Sequence, residues 1–218
     1  MCDILGDDRI AVLVTEALNE ATSEERYDEI LTLFQQSSSQ AVFNTCVDLC
    51  RSKDSSAIIF ACNVLRELGT NGTHPFGVEA SMALSSVLER TSDECVIVAA
   101  LDALGWQGVQ EFRWTLYRYA HDQRSHVRDA VASNITSMWS SEADQQAISL
   151  LLDLARDEDS DVRASAVWAL AKEVRSKSQE VVRALTRVAD DKGEELTTRE
   201  VGKSISECSL PGLGLEPR

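Results

Sequence analysis

The sequence predicts an all-α protein built as an array of about six antiparallel helix pairs. Three observations predict it. Apolar residues recur by threes and fours, the spacing that gathers side chains on one face of a helix. The clearest such stripe, Val162, Ala166, Ala169, Leu170 and Val174, returns along the chain at intervals of thirty-odd residues, which is the period of stacked helical repeats. Only three prolines and ten glycines occur in 218 residues, too few for the turns of an all-β chain.

The repeat is read outward from Asp159. Asp159, Ser160 and Asp161 suit a helix start, because short polar side chains there accept hydrogen bonds from the unpaired first amides. The four stripe positions reappear as Val127, Val131, Asn134 and Ile135, as Val96, Ala100, Ala103 and Leu104, and as Ala57, Ala61, Val64 and Leu65. Weaker echoes flank them, with Tyr27, Leu31 and Phe34 before and Val201, Ser204 and Ile205 after. The anchors therefore fall at 31, 61, 100, 131, 166 and 201. The widest interval contains Gly69 to Pro75, where glycine and proline interrupt any helix.

The run Asp159, Val162-Arg163, Ala166, Ala169-Leu170 resembles the HEAT-repeat proteins, in particular the short repeats of the phycobilisome-lyase-like subclass. The resemblance implies a right-handed α-solenoid (an alpha-alpha superhelix). It also implies Asp-to-Arg bonds that staple successive repeats. Arg128 and Arg163 occupy the arginine slot, whereas Asp28, Ile58 and Ile97 stand there in the N-terminal half, so the staple is expected only toward the C-terminus.

Taken in order, Asp8 to about Asn19 reads as a first helix with Ile10, Val14, Ala17 and Leu18 on one side. Ser23 starts a second, carrying Tyr27, Ile30, Leu31 and Phe34. The two form an N-terminal capping pair over residues 1–37. Ala41 to Cys50 and Ser55 to Leu68 are the next pair (38–70), and Phe43, Cys46, Val47 and Cys50 make its first stripe. Phe76 to Glu89 and Asp93 to Leu104 follow (74–106), closed by Gly105. Gly108 to Ala120 reads as one ring-rich helix with Phe112, Leu116 and Tyr119 toward the core; Trp114 and Tyr117 lie on another face, packed on a neighbour or exposed to a partner. Its mate is Ser125 to Trp139 (108–140), where Asn134 takes a core slot and must find a hydrogen bond, most simply to a turn carbonyl. Glu142 to Arg156 and Asp159 to Val174 form the best repeat (142–176). Ser178 to Ala189 and Glu194 to Ser206 form a C-terminal capping pair (178–208), and 209–218 has no periodicity. One repeat domain over 1–208 is expected.

The formal net charge is −15, the wrong sign for a partner whose binding depends on displacing counterions from phosphates. Nucleic acid is therefore disfavoured, with Arg113, Arg118, Arg124 and Arg128 the least acidic stretch. No run of apolar residues reaches membrane-spanning length, and the start lacks a basic, apolar leader, so a cytoplasmic protein is expected. Six cysteines at 2, 46, 50, 62, 95 and 208 show no regular framework. Cys46 and Cys50 have a metal-ligand spacing, but on an apolar stripe they read as buried thiols.

In stacks of this kind the second helix of each pair lines the inner, concave surface. By register, the groove position of Trp168 recurs as Leu33, Asn63, Asp102 and Ser133, and that of Lys172 as Glu67, Trp106 and Ser137. Asn63, Glu67, Asp102, Trp106, Ser133, Trp168 and Lys172 are thus the candidate partner-binding residues, since rings anchor a partner and polar groups orient it. The plainer reading has Trp106 and Trp168 covering small alanines on adjacent helices. No convergent catalytic set, phosphate loop or nucleophile elbow is found. His74, His121 and His126 form no His-Glu pair, and Asp157, Glu158, Asp159 and Asp161 lack the spacing and glycine of a calcium loop. The expectation is a non-catalytic scaffold or adaptor, with no cofactor or metal, binding a protein or peptide on its concave face. The resemblance implies one alternative, a bilin lyase or chaperone. A nucleic-acid-processing enzyme of the same superfamily fits the charge poorly.

Overall fold

A computed structural model describes residues 5–37, 39–68, 74–138 and 145–172. Ten α-helices and two 3-10 turns, with no strand, make up these residues. The chain divides into two compact units, Met1–Arg118 and Tyr119–Arg218. The division falls inside the stretch 108–140.

In the first unit, α1 (Asp7–Ala17) and α2 (Glu24–Gln35) form one pair, α3 (Gln40–Leu49) and α4 (Ser55–Glu67) a second, and α5 (Gly77–Arg90) and α6 (Glu94–Gln107) a third. The second helices α2, α4 and α6 pack side by side, each covered by its own first helix. The starts are those the sequence marks. Ser23, Ser39, Asp54 and Asp93 each accept a hydrogen bond from a first-turn amide, satisfying donors that the helix itself cannot.

The repeat register places the core. Ala57, Ala61, Val64 and Leu65 of α4 and Val96, Ala100, Ala103 and Leu104 of α6 are all buried, and Ile58 and Ile97 in the arginine slot are buried with them. Alanine at 61 and 100 lets α4 and α6 approach closely. In α2 the register shifts by one residue. Ile30 and Phe34 are fully buried while Leu31 is only half-buried. In α1 the buried face is Ile10, Leu13 and Ala17, with Val14 and Leu18 half-buried.

Two expectations need correction. The third pair does not close at Gly105, which is buried within α6; it closes at Gly108, whose φ of 63° is the left-handed cap that glycine adopts without steric cost. Nor is 108–120 one helix. It is a 3-10 turn (Gln110–Phe112) followed by the five-residue α7 (Arg113–Tyr117). The short helix rotates the rings relative to a continuous one, so Leu116 and Tyr117 are buried, Phe112 and Tyr119 half-buried, and Trp114 exposed with its ring edge-on to Tyr117.

The second unit contains α8 (Ser125–Asn134), a 3-10 turn (Ile135–Met138), α9 (Gln145–Leu154) and α10 (Ser160–Lys172). Here too the second helices α8 and α10 pack against each other. Val127, Val131 and Ile135 are buried, as are Val162, Ala166, Ala169 and Leu170. Asn134 in the remaining slot donates Nδ2–H to the Ala130 carbonyl one turn back, at 2.9 Å, so the bond goes to its own helix. The helix ends there and continues as 3-10, consistent with an amide side chain competing for the backbone. Residues 173–218, including the expected capping pair 178–208, lie outside the described residues.

The arginine staple is present where the sequence places it. Arg128 grips Asp157 with two bonds, Nε to Oδ2 and Nη2 to Oδ1, both 2.7 Å, and its Nη1 donates to the carbonyls of Asp122 and Gln123. Arg163 repeats the second half of this pattern toward the Asp157 and Glu158 carbonyls, each at 3.0 Å. In the first unit other bonds tie the pairs together. Ser55 donates to Asp93 at 2.7 Å, and Gln35 donates to the Asn63 carbonyl at 3.0 Å.

Candidate functional site

On α4 the positions facing the core and the flanking helices are 57, 58, 60, 61, 62, 64 and 65, which leaves Asn63 and Glu67 on the remaining strip. On α6 the same logic leaves Asp102 half-buried and Trp106 exposed, with 56% of its surface open. A buried amide fixes the two helix ends together. Gln107 donates Nε2–H to the Leu65 carbonyl at 2.6 Å and lies 3.3 Å from that of Arg66, satisfying carbonyls at the end of α4. Trp106 is thereby held beside Arg66, whose guanidinium carbon lies 5.9 Å from the ring centroid and whose Nη2 is 2.9 Å from Glu67.

The exposed strip of α2 is acidic. Glu24, Glu25, Asp28, Glu29, Thr32 and Leu33 line a shallow depression. Arg26 is committed to Glu16 and Glu29, at 2.8 and 2.9 Å. Its hydrogen bond holds the Glu16 carboxyl below the usual carboxylate range and raises the Arg26 guanidinium above its own. Asn63, Glu67 and Asp102 are thus half-buried and Trp106 exposed, with Arg66 paired to Glu67 and Arg26 to Glu16 and Glu29.

In the second unit Ser133 and Trp168 both lie at the surface, Trp168 with 44% of its area open. Lys172 ends α10, and its side chain lies outside the described residues. One group that sequence reasoning missed stands a turn before Ser133. Asp129 is half-buried with Oδ1 sealed from solvent and without a hydrogen-bond partner. Burial raises its carboxyl, the charges of Asp161 and Asp159 add to that, and Ser165 and His126 oppose it. The sequence carries no mark of such desolvation, which depends on what packs around the carboxyl.

The remaining polar clusters are structural. Asp159 accepts from the amides of Asp161 and Val162 and is held low chiefly by Ser125, while Asp157 is held low chiefly by Arg128. Both are helix-start and staple groups. Arg124 pairs with Asp122 at 2.8 Å, Arg128 with Asp157, and Arg113 lies 4.6 Å over the Trp114 ring. Among the described residues no group of three or more His, Cys, Asp or Glu is placed to hold a metal ion.

By fold the chain is similar to solved repeat proteins. The YibA protein of Escherichia coli superposes over 94% of this chain and 71% of its own, with a TM-score of 0.72 and 17% identity. A designed armadillo repeat protein, solved with a (KR)4 peptide, covers 91% of this chain and 98% of its own at a TM-score of 0.57 and 17% identity. An engineered protein covers 93% and 89% at 0.57 and 17%. No curated protein matches the chain by sequence. The profile for HEAT repeats matches residues 81–171 and 134–206, more than half of the chain. With its helix pairs, buried register and Arg128–Asp157 staple, the chain belongs to the HEAT-repeat family.

Proposed function

We propose that the protein is a non-catalytic interaction scaffold that holds a protein or peptide segment on the face formed by its second helices. The observation that carries this reading is Trp106, open over half its area beside Arg66 at the end of α4. An exposed indole costs solvation and supplies no core packing, whereas at an interface it is a strong anchor. In the second unit, taken by itself, Ser133, Trp168 and Lys172 are proposed as partner contacts along α8 and α10.

The charge of the face selects the partner class. A net charge of −15 and the carboxylates along α2 favour a lysine- or arginine-rich segment, because complementary charge speeds encounter and suppresses wrong partners. The designed armadillo protein of similar fold, solved with a (KR)4 peptide, is an example of such a segment held by a repeat scaffold. A single repeat domain over 1–208 in the cytoplasm is part of this proposal.

Peptide arrays graded in charge, followed by titration of the best binders, test it. Basic peptides should bind the wild-type protein and weaken as salt rises. Trp106→Ala or Asp102→Arg should weaken them by about tenfold or more, corresponding to the ~1.4 kcal/mol or more expected of an anchor, and Trp168→Ala should weaken any peptide held by the second unit. Unchanged binding by all three folded variants would exclude this face.

A further inference from the structure

Between α3 and α5 the first unit contains a cavity of about 330 Å³. Two contacts show that the helices run past it in the same direction. At their starts Phe43 of α3 stacks on Phe76, ring centroids 4.5 Å apart; at their ends Nη2 of Arg90 donates to the Cys50 carbonyl. Glu79, Met82, Ala83, Ser86 and Arg90 recur by threes and fours, so they share one face of α5, a strip of about 16 Å at ~1.5 Å per residue. Phe43, Val47 and Cys50 line the groove from α3.

The lining is graded along this axis. Phe43, Val47, Met82 and Ala83 make an apolar middle, and Met82 stands 60% exposed in its wall, where a flexible thioether adapts to an apolar guest. Polar groups sit at the ends, Glu79 at one and Ser86 and Arg90 at the other. At that second end the carbonyls of Cys46, Asp48 and Leu49 accept backbone amides and that of Cys50 accepts from Arg90, so α3 brings none of these four bare to the groove. Arg51 is taken by Asp48 at 2.7 Å. Among the described residues Arg90 bonds only to the Cys50 carbonyl, through Nη2. Its Nε and Nη1 hydrogens, with the Ser86 hydroxyl one turn earlier, are the donors that remain for a guest. A guanidinium takes a carboxylate through two N–H groups at once, and in pockets of this size a few polar groups orient a mostly apolar ligand.

We propose that the α3–α5 groove binds a linear aliphatic monocarboxylate, its carboxylate on Arg90 and Ser86 and its chain along Val47, Met82 and Ala83 toward Phe43. Glu79 sets the direction, since an anionic head at that end would meet a like charge. The site lies on the first helices of the pairs and does not depend on the face of α4 and α6 proposed above.

The test uses the full chain with isotope-labelled methionine methyls, titrated with sodium decanoate and followed by NMR and calorimetry. Met82 lines the groove, whereas Met138 is buried in the second unit, so the two methyls separate binding in the groove from a general effect. Decanoate should shift the Met82 methyl with a Kd below ~1 mM and leave Met138 in place. Decanol and decylammonium should bind at least ~10-fold more weakly, because neither offers the guanidinium two anionic oxygens. Ala83→Leu, which fills the groove, and Arg90→Gln should each weaken decanoate by ~10-fold or more. The comparison among the three probes needs no substitution, so a variant that fails to fold does not affect it. An unmoved Met82 methyl at millimolar decanoate, equal binding of decanol, or tighter binding of acetyl-trileucine through its free carboxylate would overturn the proposal.

Discussion

Arg128 shows how much one side chain can fix. Its three nitrogens bond one carboxylate and two carbonyls, at 2.7 to 3.1 Å, with the Arg128 and Asp157 side chains each only 10% exposed. Removing one member of such a pair strands the other, so Asp157→Ala should cost about 3 kcal/mol, read as a lowered Tm with slower change at α2 and α4 by hydrogen exchange than at α8 and α10. The pH dependence follows from the sign of the shift. Asp157 is held below its ordinary 3.8 by Arg128, so its contribution is complete above that value and is lost as pH falls through the lower, folded value. Asp129 has the opposite sign. Burial raises it above 3.8, so its stabilising contribution is complete below 3.8 and is lost as pH rises through its folded value. Asp129→Asn should therefore raise the Tm near neutral pH and leave it nearly unchanged in acid; an equal gain at both would contradict the desolvation.

Among the elements, α6 and α7 mark the limit of what the sequence shows. The stripes at 57 to 65, 96 to 104 and 162 to 170 are legible because their residues are apolar at helical spacing, and every one of those positions is buried. The extent of α6 was not legible, since Gly105 looks like a stop and only tertiary packing carries the helix on to Gln107. The 3-10 turn before α7 is equally silent: Val109 to Phe112 has no breaker, and the rings at 112, 114, 117 and 119 fit more than one face. The groove register selects Asn63, Glu67, Asp102 and Trp106 as candidates, because position along a repeat is periodic. It gives no sign of the desolvated Asp129, which depends on what surrounds the side chain. Gly108 permits a direct check at this scale. With φ at 63°, Gly108→Ala should lower stability by ~1 kcal/mol and Gly108→Val by more, seen in denaturant titration; no change would mean that the left-handed cap is absent.

At the scale of the whole molecule, a repeat fold adds surface with each pair and buries only what lies between neighbours. The proposed function resides in residues left on the open strip, which in the first unit include Glu67, Asp102 and the exposed Trp106. Partner binding should accordingly fall steeply with ionic strength, as exposed charges are screened beyond a Debye length of about 8 Å at physiological salt. A ligand whose affinity is indifferent to salt would point to a different surface. The most direct measurement is a hydrogen-exchange and cross-linking footprint of the protein with a saturating basic peptide. The account predicts cross-links to Glu67 and Asp102 and added protection along α4 and α6, with α3 and α5 unchanged; a footprint confined to α3 and α5 would contradict it.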